Sequence, residues 1–271
     1  MGKFDGILIC TDLDGTLFKN DKTISQENRD AIEYFKANGG YFTFITGRMP
    51  FFVSYALECI KPNAPFGSIN GGGLFDAGKN EYVWKAHLPE KALEMAEFIG
   101  EVLPGVGIQI NTFYKTYFVK ENETMEKFRQ ITNLPNLVCG FKDVREPVAK
   151  ILFGTEIEEE IQHLEKALKA HPLAGEFDFI RSEKTLYEIL PKGIGKGAAI
   201  ENLCRHLGVC KTVAIGDYNN DISMFKAAKI GIAVENACSE AKKAADFITV
   251  SNEKSAVAEV IYGIECGKYK L

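Results

Sequence analysis

Short apolar runs alternate with helix-like stretches in two parts of this 271-residue chain, and this alternation constrains the fold more than any other feature. Residues 4–11, 41–45 and 66–69 are such runs, and helical patterns separate them. The alternation resumes near residue 195 and continues to residue 266. Continuous apolar strands that alternate with helices are typical of a parallel sheet covered on both faces. We therefore predict an α/β fold with a doubly wound, mostly parallel, Rossmann-like sheet.

The part of the chain between these two regions has a different pattern. Residues 107–111 and 116–120 suggest one strand pair, and residues 177–181 and 185–190 suggest another. Helical patterns lie among them, so this part has α+β character. We predict a discontinuous core domain of residues 1–82 and 189–271, and an inserted α+β domain of residues 83–188.

Composition and charge exclude several classes of partner. Apolar residues make up 46% of the chain and charged residues 25%, with a net charge of −5, as is typical of globular proteins. No basic stretch with interleaved aromatic residues suggests nucleic-acid binding, and no apolar run reaches the roughly 18 residues needed to cross a membrane. The seven scattered cysteines and the lack of a signal-peptide pattern favour the cytoplasm. The oligomeric state is not predicted.

Polar clusters follow three of the predicted strands. They are DLDGT with Asp12, Asp14 and Thr16, ITGR with Thr46, Gly47 and Arg48, and GDYNND with Asp217, Asn219, Asn220 and Asp221. Because the carboxyl ends of parallel strands share one edge of the sheet, the four aspartates should converge there.

Four carboxylates in one pocket need compensation. Two unit charges about 4 Å apart repel by about 4 kcal/mol at an effective dielectric constant near 20. Either some carboxyl groups stay protonated or a cation lies among them. Oxygen ligands suit a hard cation such as Mg²⁺, which also binds water and substrate phosphate. None of the four histidines lies in these clusters, which disfavours zinc.

Four motifs, DLDGTL, ITGR, PKGIGKG and GDYNND, together resemble those of the haloacid dehalogenase superfamily of phosphohydrolases. PKGIGKG is similar to the lysine-bearing third motif of the Cof-type branch. The inserted domain falls between the second and third motifs, where Cof-type members of type IIB carry a large α+β cap. The resemblance covers the whole chain, and it implies Mg²⁺-dependent hydrolysis of phosphomonoesters through an aspartyl-phosphate.

The resemblance also implies roles for individual residues. Asp12 is similar to the family nucleophile, and Asp14 to the general acid and base. Thr46 and Lys196 resemble the pair that holds the phosphoryl oxygens, and Gly47 is a further candidate for substrate binding.

The metal site follows from the same resemblance. Asp217 resembles the metal aspartate, with Asp12 and the backbone carbonyl of Asp14 as further ligands. Asp221 and Asn220 would complete or orient this set of ligands, and Asn220 is also a candidate for substrate binding.

Several alternatives remain open in the sequence. Lys192 competes with Lys196 for the role of the third-motif lysine, although Lys196 matches the family pattern better. Arg48 is equally compatible with a phosphate contact and with a structural salt bridge. Asn70 and Gly71 either line the site or form a glycine-rich turn.

The predicted activity is hydrolysis of a small phosphorylated metabolite, such as a sugar phosphate, a nucleotide or a cofactor phosphate, because a large cap would exclude bulky substrates. One alternative is a phosphosugar mutase of the phosphomannomutase type, which would return the phosphoryl group to another hydroxyl. A non-catalytic sensor of a phosphorylated ligand is disfavoured, because every motif residue is present.

Overall fold

The computed structural model describes residues 2–132 and 138–271, with residues 131 and 132 described by their backbone alone. Its strands are β1 (Ile7–Thr11), β2 (Tyr41–Phe44), β3 (Phe66–Ser68), β4 (Gly73–Asp76), β5 (Glu81–Lys85), β6 (Gly107–Thr112), β7 (Thr116–Lys120), β8 (Val148–Gly154), β9 (Phe177–Glu183), β10 (Leu186–Pro191), β11 (Lys211–Gly216), β12 (Ile230–Ala233) and β13 (Phe247–Ile248). Its α-helices are α1 (Gln26–Ala37), α2 (Ser54–Ile60), α3 (Lys91–Val102), α4 (Glu123–Thr132), α5 (Glu158–Ala170), α6 (Lys196–Leu207), α7 (Ile222–Ala227), α8 (Ser239–Ala244) and α9 (Ala256–Glu265).

Contacts divide the chain into two compact units, Met1–Lys85 with Gly195–Leu271, and Ala86–Ile194. Strand β5 therefore lies wholly in the first unit, and strand β10 lies wholly in the second. The boundaries predicted after residues 82 and 188 fall inside these two strands, whereas the structural division falls beyond their ends.

A parallel sheet in the order β13-β12-β11-β1-β2 forms the centre of the first unit. All five residues of β1 are buried, as expected for a central strand covered on both faces. Helix α1 begins after Ser25, its N-cap residue, whose Oγ accepts a hydrogen bond from the Asn28 amide at 3.2 Å. The α/β fold predicted from the alternating pattern is confirmed.

A second sheet of the first unit was not predicted in full. Strands β3, β4 and β5 form an antiparallel sheet, and a parallel bridge between Ile45 and Gly67 joins it to the chain leaving β2. Only the first of these strands corresponds to an apolar run predicted from the sequence, at residues 66–69. Strand β4 begins at Gly73, the last residue of the glycine run at residues 71–73, and such a run resembles a turn rather than the start of a strand.

The second unit contains an antiparallel sheet in the order β7-β6-β8-β10-β9. One face of this sheet carries Ile108, Ile110, Ile151 and Phe153, which share an apolar core with residues of α3 and α5. The two predicted strand pairs are present, and β8 pairs with β6 and with β10.

Within the part of the chain that the structure describes, no helix combines the length and the apolar character needed to cross a membrane.

Candidate active site

The end of β1 places Asp12 at the carboxyl edge of the central sheet. The Asp12 amide donates a 2.8 Å hydrogen bond to the Ile215 carbonyl, so the pairing of β1 with β11 extends to this residue. The chain then turns at Gly15, where φ is +80°. A Cβ at Gly15 would lie 2.5 Å from Oδ2 of Asp217. Only glycine therefore allows this turn and the close approach of the Asp217 carboxylate.

Three carboxylates from distant parts of the sequence meet at this edge. Asp12, Asp217 and Asp221 each offer an oxygen, and these oxygens lie within 4.8 Å of one another. Lys196, the first residue of α6, is 1% exposed, and its Nζ donates to Asp12 Oδ1 at 2.6 Å and to Asp221 Oδ1 at 2.5 Å. The shared sheet edge thus gathers these residues, as the strand order requires.

Asp221 also holds the loop that follows β11. Its Oδ2 accepts hydrogen bonds from the amides of Asp217 at 2.8 Å and Tyr218 at 3.0 Å. Since its Oδ1 accepts from Lys196, both oxygens of this fully buried carboxylate already have donors. These contacts favour an orienting role for Asp221, with Asp12 and Asp217 better placed as direct ligands of a cation.

The electrostatics of the cluster fit a divalent cation. When Asp12, Asp217 and Asp221 are all ionised, Lys196 leaves an excess of two negative charges. Burial, reinforced by the neighbouring carboxylates, raises the pKa of Asp12 well above its usual value. Burial and Asp221 raise the pKa of Asp217 to about 7. A set of oxygen donors with this excess charge suits Mg²⁺, which would restore the ionised state of both groups.

We expect the Asp217→Asn substitution to stabilise the metal-free protein. Because the pKa of Asp217 is near 3.8 when unfolded and about 7 when folded, ionising it costs stability as pH rises from 4 to 7. Screening of this half-buried group reduces the effect, so the free energy of unfolding at pH 8 should rise by about 1–3 kcal/mol. Denaturant unfolding in EDTA measures this change.

Mg²⁺ should reverse the order of stability between the two proteins. The wild type should gain about 4.1 kcal/mol at a Mg²⁺ concentration about 1,000 times the dissociation constant, which exceeds the advantage of the variant in EDTA, whereas the variant should gain little. A variant that is destabilised in EDTA, or stabilised by Mg²⁺ as strongly as the wild type, would contradict this assignment of Asp217.

The carboxylate of Asp14 has its own cationic partners. Arg48 holds it with two 2.7 Å bonds, from Nε to Oδ2 and from Nη2 to Oδ1, and Lys22 Nζ donates to Oδ1 at 2.8 Å. Burial would raise the pKa of Asp14, but the hydrogen bonds and charges of Arg48 and Lys22 outweigh it and hold the pKa below its usual value. Of the two roles considered for Arg48, the structure shows the salt bridge.

Asn70 connects the second motif with the fourth. Thr46 is 2% exposed at the end of β2, and its carbonyl accepts a 3.0 Å hydrogen bond from the Asn70 amide. The Asn70 side chain accepts a 3.1 Å bond from Asn220 Nδ2. A Cβ at Gly47 would lie 3.1 Å from Asn70 Oδ1. Asn70 thus brings Thr46, Gly47 and Asn220 into one region of the first unit.

Only one of the two candidate lysines of the third motif lies in the site. Lys196 lies in the carboxylate cluster, whereas the exposed Lys192 pairs with Asp178 at 2.8 Å. Gly71, at φ +89°, faces the start of α6, where an added Cβ would lie 2.1 Å from the Gly195 carbonyl oxygen. This close approach explains why glycine follows Asn70.

Three contacts of the site were not anticipated. The Thr16 hydroxyl donates to Asp217 Oδ1 at 3.0 Å, and Asn236 Nδ2 donates to the Gly15 carbonyl at 2.7 Å. The third unanticipated contact is the hydrogen bond from Lys22 Nζ to Asp14 Oδ1. Because Thr16 lies within the first motif, the sequence did contain a signal that its hydroxyl belongs to the site. Lys22 and Asn236 lie outside every motif, so no sequence pattern indicates that they belong to the site.

The family model for the haloacid dehalogenase-like hydrolases matches residues 9–261. The chain belongs to this family.

The chain is also similar to known relatives and solved structures over nearly their whole lengths. The 5-amino-6-(5-phospho-D-ribitylamino)uracil phosphatase YwtE of Bacillus subtilis is 29% identical, with 96% of this chain and 99% of that protein covered. The structure of a haloacid dehalogenase-like hydrolase from Bacteroides thetaiotaomicron is 26% identical with a TM-score of 0.81, covering 96% of this chain and 99% of that one. A subclass IIB sugar phosphatase, 22% identical, shares the fold with a TM-score of 0.83 and coverage of 95% and 98%. The predicted family, type IIB fold and enzyme class, a phosphatase, are confirmed.

Proposed function

We propose that the chain is a cytoplasmic, Mg²⁺-dependent phosphomonoester hydrolase that acts through an aspartyl-phosphate on a small phosphorylated metabolite. The observation that carries this proposal is the buried cluster of Asp12, Asp217 and Asp221 around Lys196. A cluster with excess negative charge, at the edge where α/β sheets bind ligands, is costly unless it serves a cation and a substrate.

Asp12 is the proposed nucleophile. A carboxylate oxygen of Asp12 attacks phosphorus, and the bond from phosphorus to the leaving oxygen breaks. Asp14 gives that oxygen a proton, and it then takes a proton from the water that cleaves the aspartyl-phosphate. Since Arg48 and Lys22 hold Asp14 ionised, these contacts must change when Asp14 takes up its proton.

Two further residues act on the charge of the phosphoryl group. The Lys196 ammonium, fixed between Asp12 and Asp221, supplies a positive charge next to the nucleophile. The Thr46 hydroxyl is proposed to donate a hydrogen bond to a phosphoryl oxygen. Because both side chains are buried, they need little rearrangement during the reaction.

Asp12, Asp217 and the backbone carbonyl of Asp14 would hold Mg²⁺, with Asp221 and Asn220 orienting the loop that carries Asp217. The ion supplies positive charge that lowers the repulsion between a carboxylate nucleophile and an anionic phosphate ester. Lys196 alone cannot supply it, because it leaves the cluster with excess negative charge.

The relatives suggest which substrates to try first. One is named for a phosphorylated ribitylaminouracil and another is a sugar phosphatase, so cofactor-precursor phosphates and sugar phosphates are the proposed classes. A screen of phosphorylated metabolites for phosphate release tests this choice. Hexose 1-phosphates distinguish the mutase alternative, since a mutase would yield an isomeric phosphosugar and a hydrolase free phosphate.

Removal of metal should abolish the activity. In EDTA, hydrolysis of p-nitrophenyl phosphate should fall at least about 100-fold, because the carboxylate cluster loses its compensating charge. Adding Mg²⁺ in excess of the chelator should restore the rate, and Ca²⁺, which is larger and prefers more ligands, should restore far less. Full activity in EDTA, after prior dialysis against the chelator, would contradict the proposal.

A further inference from the structure

The carboxyl edge of the central sheet carries two further polar residues outside the motifs. Asn236 lies a few residues after β12, and Asn252 lies a few residues after β13. Because β12 and β13 continue the parallel sheet beyond β11, both asparagines lie at the same edge as Asp12 and Asp217. Neither has a role in the proposed reaction, yet both form hydrogen bonds with the chain that follows Asp14.

Both polar atoms of the Asn236 side chain are hydrogen-bonded to backbone groups. Its Nδ2 donates to the Gly15 carbonyl at 2.7 Å, and its Oδ1 accepts from the Asn252 amide at 2.9 Å. Since a backbone N–H only donates and a carbonyl only accepts, these partners fix the direction in which the side-chain amide faces. Asn252 is 2% exposed, and its own Nδ2 donates to the Phe18 carbonyl at 3.0 Å. The two asparagines together thus bind the chain at Gly15 and at Phe18.

The turn at Gly15 is a part of the backbone that needs such a restraint. Its φ is +80°, and glycine adopts many other backbone conformations at little cost because it has no Cβ. A hydrogen bond to the Gly15 carbonyl opposes rotation of the peptide group that follows this residue. Asn236 therefore limits the backbone movement that is open to the neighbouring Asp14.

The bond from Asn236 does not depend on the charge of Asp14. Arg48 and Lys22 hold the Asp14 carboxylate through ion pairs, and these contacts must change when Asp14 takes up a proton. Asn236 instead contacts the backbone of the next residue, so its hydrogen bond persists in either protonation state. It can hold Asp14 in place while the partners of the carboxyl group change.

We propose that Asn236, braced by Asn252, is a positioning residue for the proton transfer from Asp14 to the leaving oxygen. Since Asp14 is the general acid only in the proposed function, this inference rests on that function. Asn236 acts through the Gly15 backbone and contacts neither the substrate nor the reacting atoms. Because its side chain is exposed, its removal should lower the unfolding temperature by no more than about 4 °C.

The dependence of the rate on the leaving group tests this role. Phenyl phosphate and p-nitrophenyl phosphate share the same phosphorylated ring, but phenolate is a basic leaving group, with a pKa of about 10 as in the tyrosine side chain. The nitro group lets p-nitrophenolate leave without a proton. In the full-length protein with Mg²⁺, Asn236→Ala should lower kcat/KM at least about tenfold for phenyl phosphate and less than about threefold for p-nitrophenyl phosphate.

Two further variants complete the comparison. Asp14→Asn removes the proton donor and should show the same selectivity between the two esters with a larger loss, about 100-fold or more for phenyl phosphate. Asn38→Ala is the matched control. Asn38 Nδ2 also donates to a backbone carbonyl, that of Tyr34 at 2.9 Å, but Asn38 ends α1 before β2 and so lies at the opposite edge of the sheet. This control should keep kcat/KM for both esters within about twofold.

The outcomes separate this inference from the proposed function. If Asp14→Asn shows the selective loss but Asn236→Ala matches the wild type, or slows both esters equally, the role of Asn236 is overturned and the proposed function stands. A wild type that hydrolyses neither ester, or an Asp14→Asn variant without the selective loss, contradicts the proposed function and the role of Asn236 with it.

Discussion

The Asp12→Asn substitution is expected to lower kcat/KM for p-nitrophenyl phosphate at least about 10⁴-fold while the fold persists. An amide is a far weaker nucleophile than a carboxylate, yet it has nearly the same shape, and its oxygen can still accept from Lys196. Burial and the neighbouring carboxylates raise the pKa of Asp12, so a neutral side chain is tolerated at this position. Steady-state kinetics with Mg²⁺ present measure the loss.

The control for Asp12→Asn is Asp21→Asn. Asp21 is exposed in the loop after the first motif and accepts hydrogen bonds from Thr23, outside the carboxylate cluster. This variant should keep at least half of the wild-type kcat/KM. Unfolding in EDTA should give Asp12→Asn a stability equal to or above that of the wild type, so that lost activity cannot be attributed to lost structure. Residual activity above about 10% in Asp12→Asn would exclude Asp12 as the nucleophile.

Lys196→Met should impair both stability and catalysis. Lys196 is the cation shared by Asp12 and Asp221, and it is buried with them. Burial would lower its pKa, but the two carboxylates outweigh this effect and keep the group charged. Removing one partner of a buried ion pair costs about 3–5 kcal/mol, and losing a positive charge at the phosphoryl group costs about 10²–10³-fold in kcat. Denaturant unfolding and steady-state kinetics measure the two effects.

Lys192→Met is the matched control for Lys196→Met. Lys192 lies in the same sequence motif, but it is exposed and forms a surface pair with Asp178. Its loss should change the free energy of unfolding by less than about 1 kcal/mol and leave kcat within about twofold. If Lys196→Met proves too unstable to assay, Lys196→Arg keeps the charge and should fold, with kcat still reduced because the larger guanidinium does not fit the same position. Equal effects of Lys192→Met and Lys196→Met would contradict the assignment.

The fold of the first unit was largely predictable because it follows a simple periodic rule. Apolar strands alternate with helices from residue 4 onwards, and parallel order then forces their polar carboxyl ends onto one edge. That rule brought Asp12 and Asp217 together from sequence alone. Strands β4 and β5 are not predicted from the sequence, because β4 begins within a glycine run and β5 is only half-buried, so neither shows a clear apolar pattern.

The finer contacts of the site were not predictable, since they depend on side-chain direction rather than on strand order. Nothing in the sequence indicates that Lys22 joins Arg48 at Asp14, or that both oxygens of Asp221 are already bonded.

Direct detection of the phosphoryl group on Asp12 is the most decisive test of the account. The protein is mixed with Mg²⁺ and excess substrate, quenched in acid during turnover, digested, and analysed by mass spectrometry. The account predicts a phosphorylated peptide that contains Asp12, labile at high pH as an acyl phosphate is, and absent from the Asp12→Asn variant. An actively hydrolysing protein in which the phosphoryl group is found on another residue, or an Asp12→Asn variant that still forms the adduct, would contradict it.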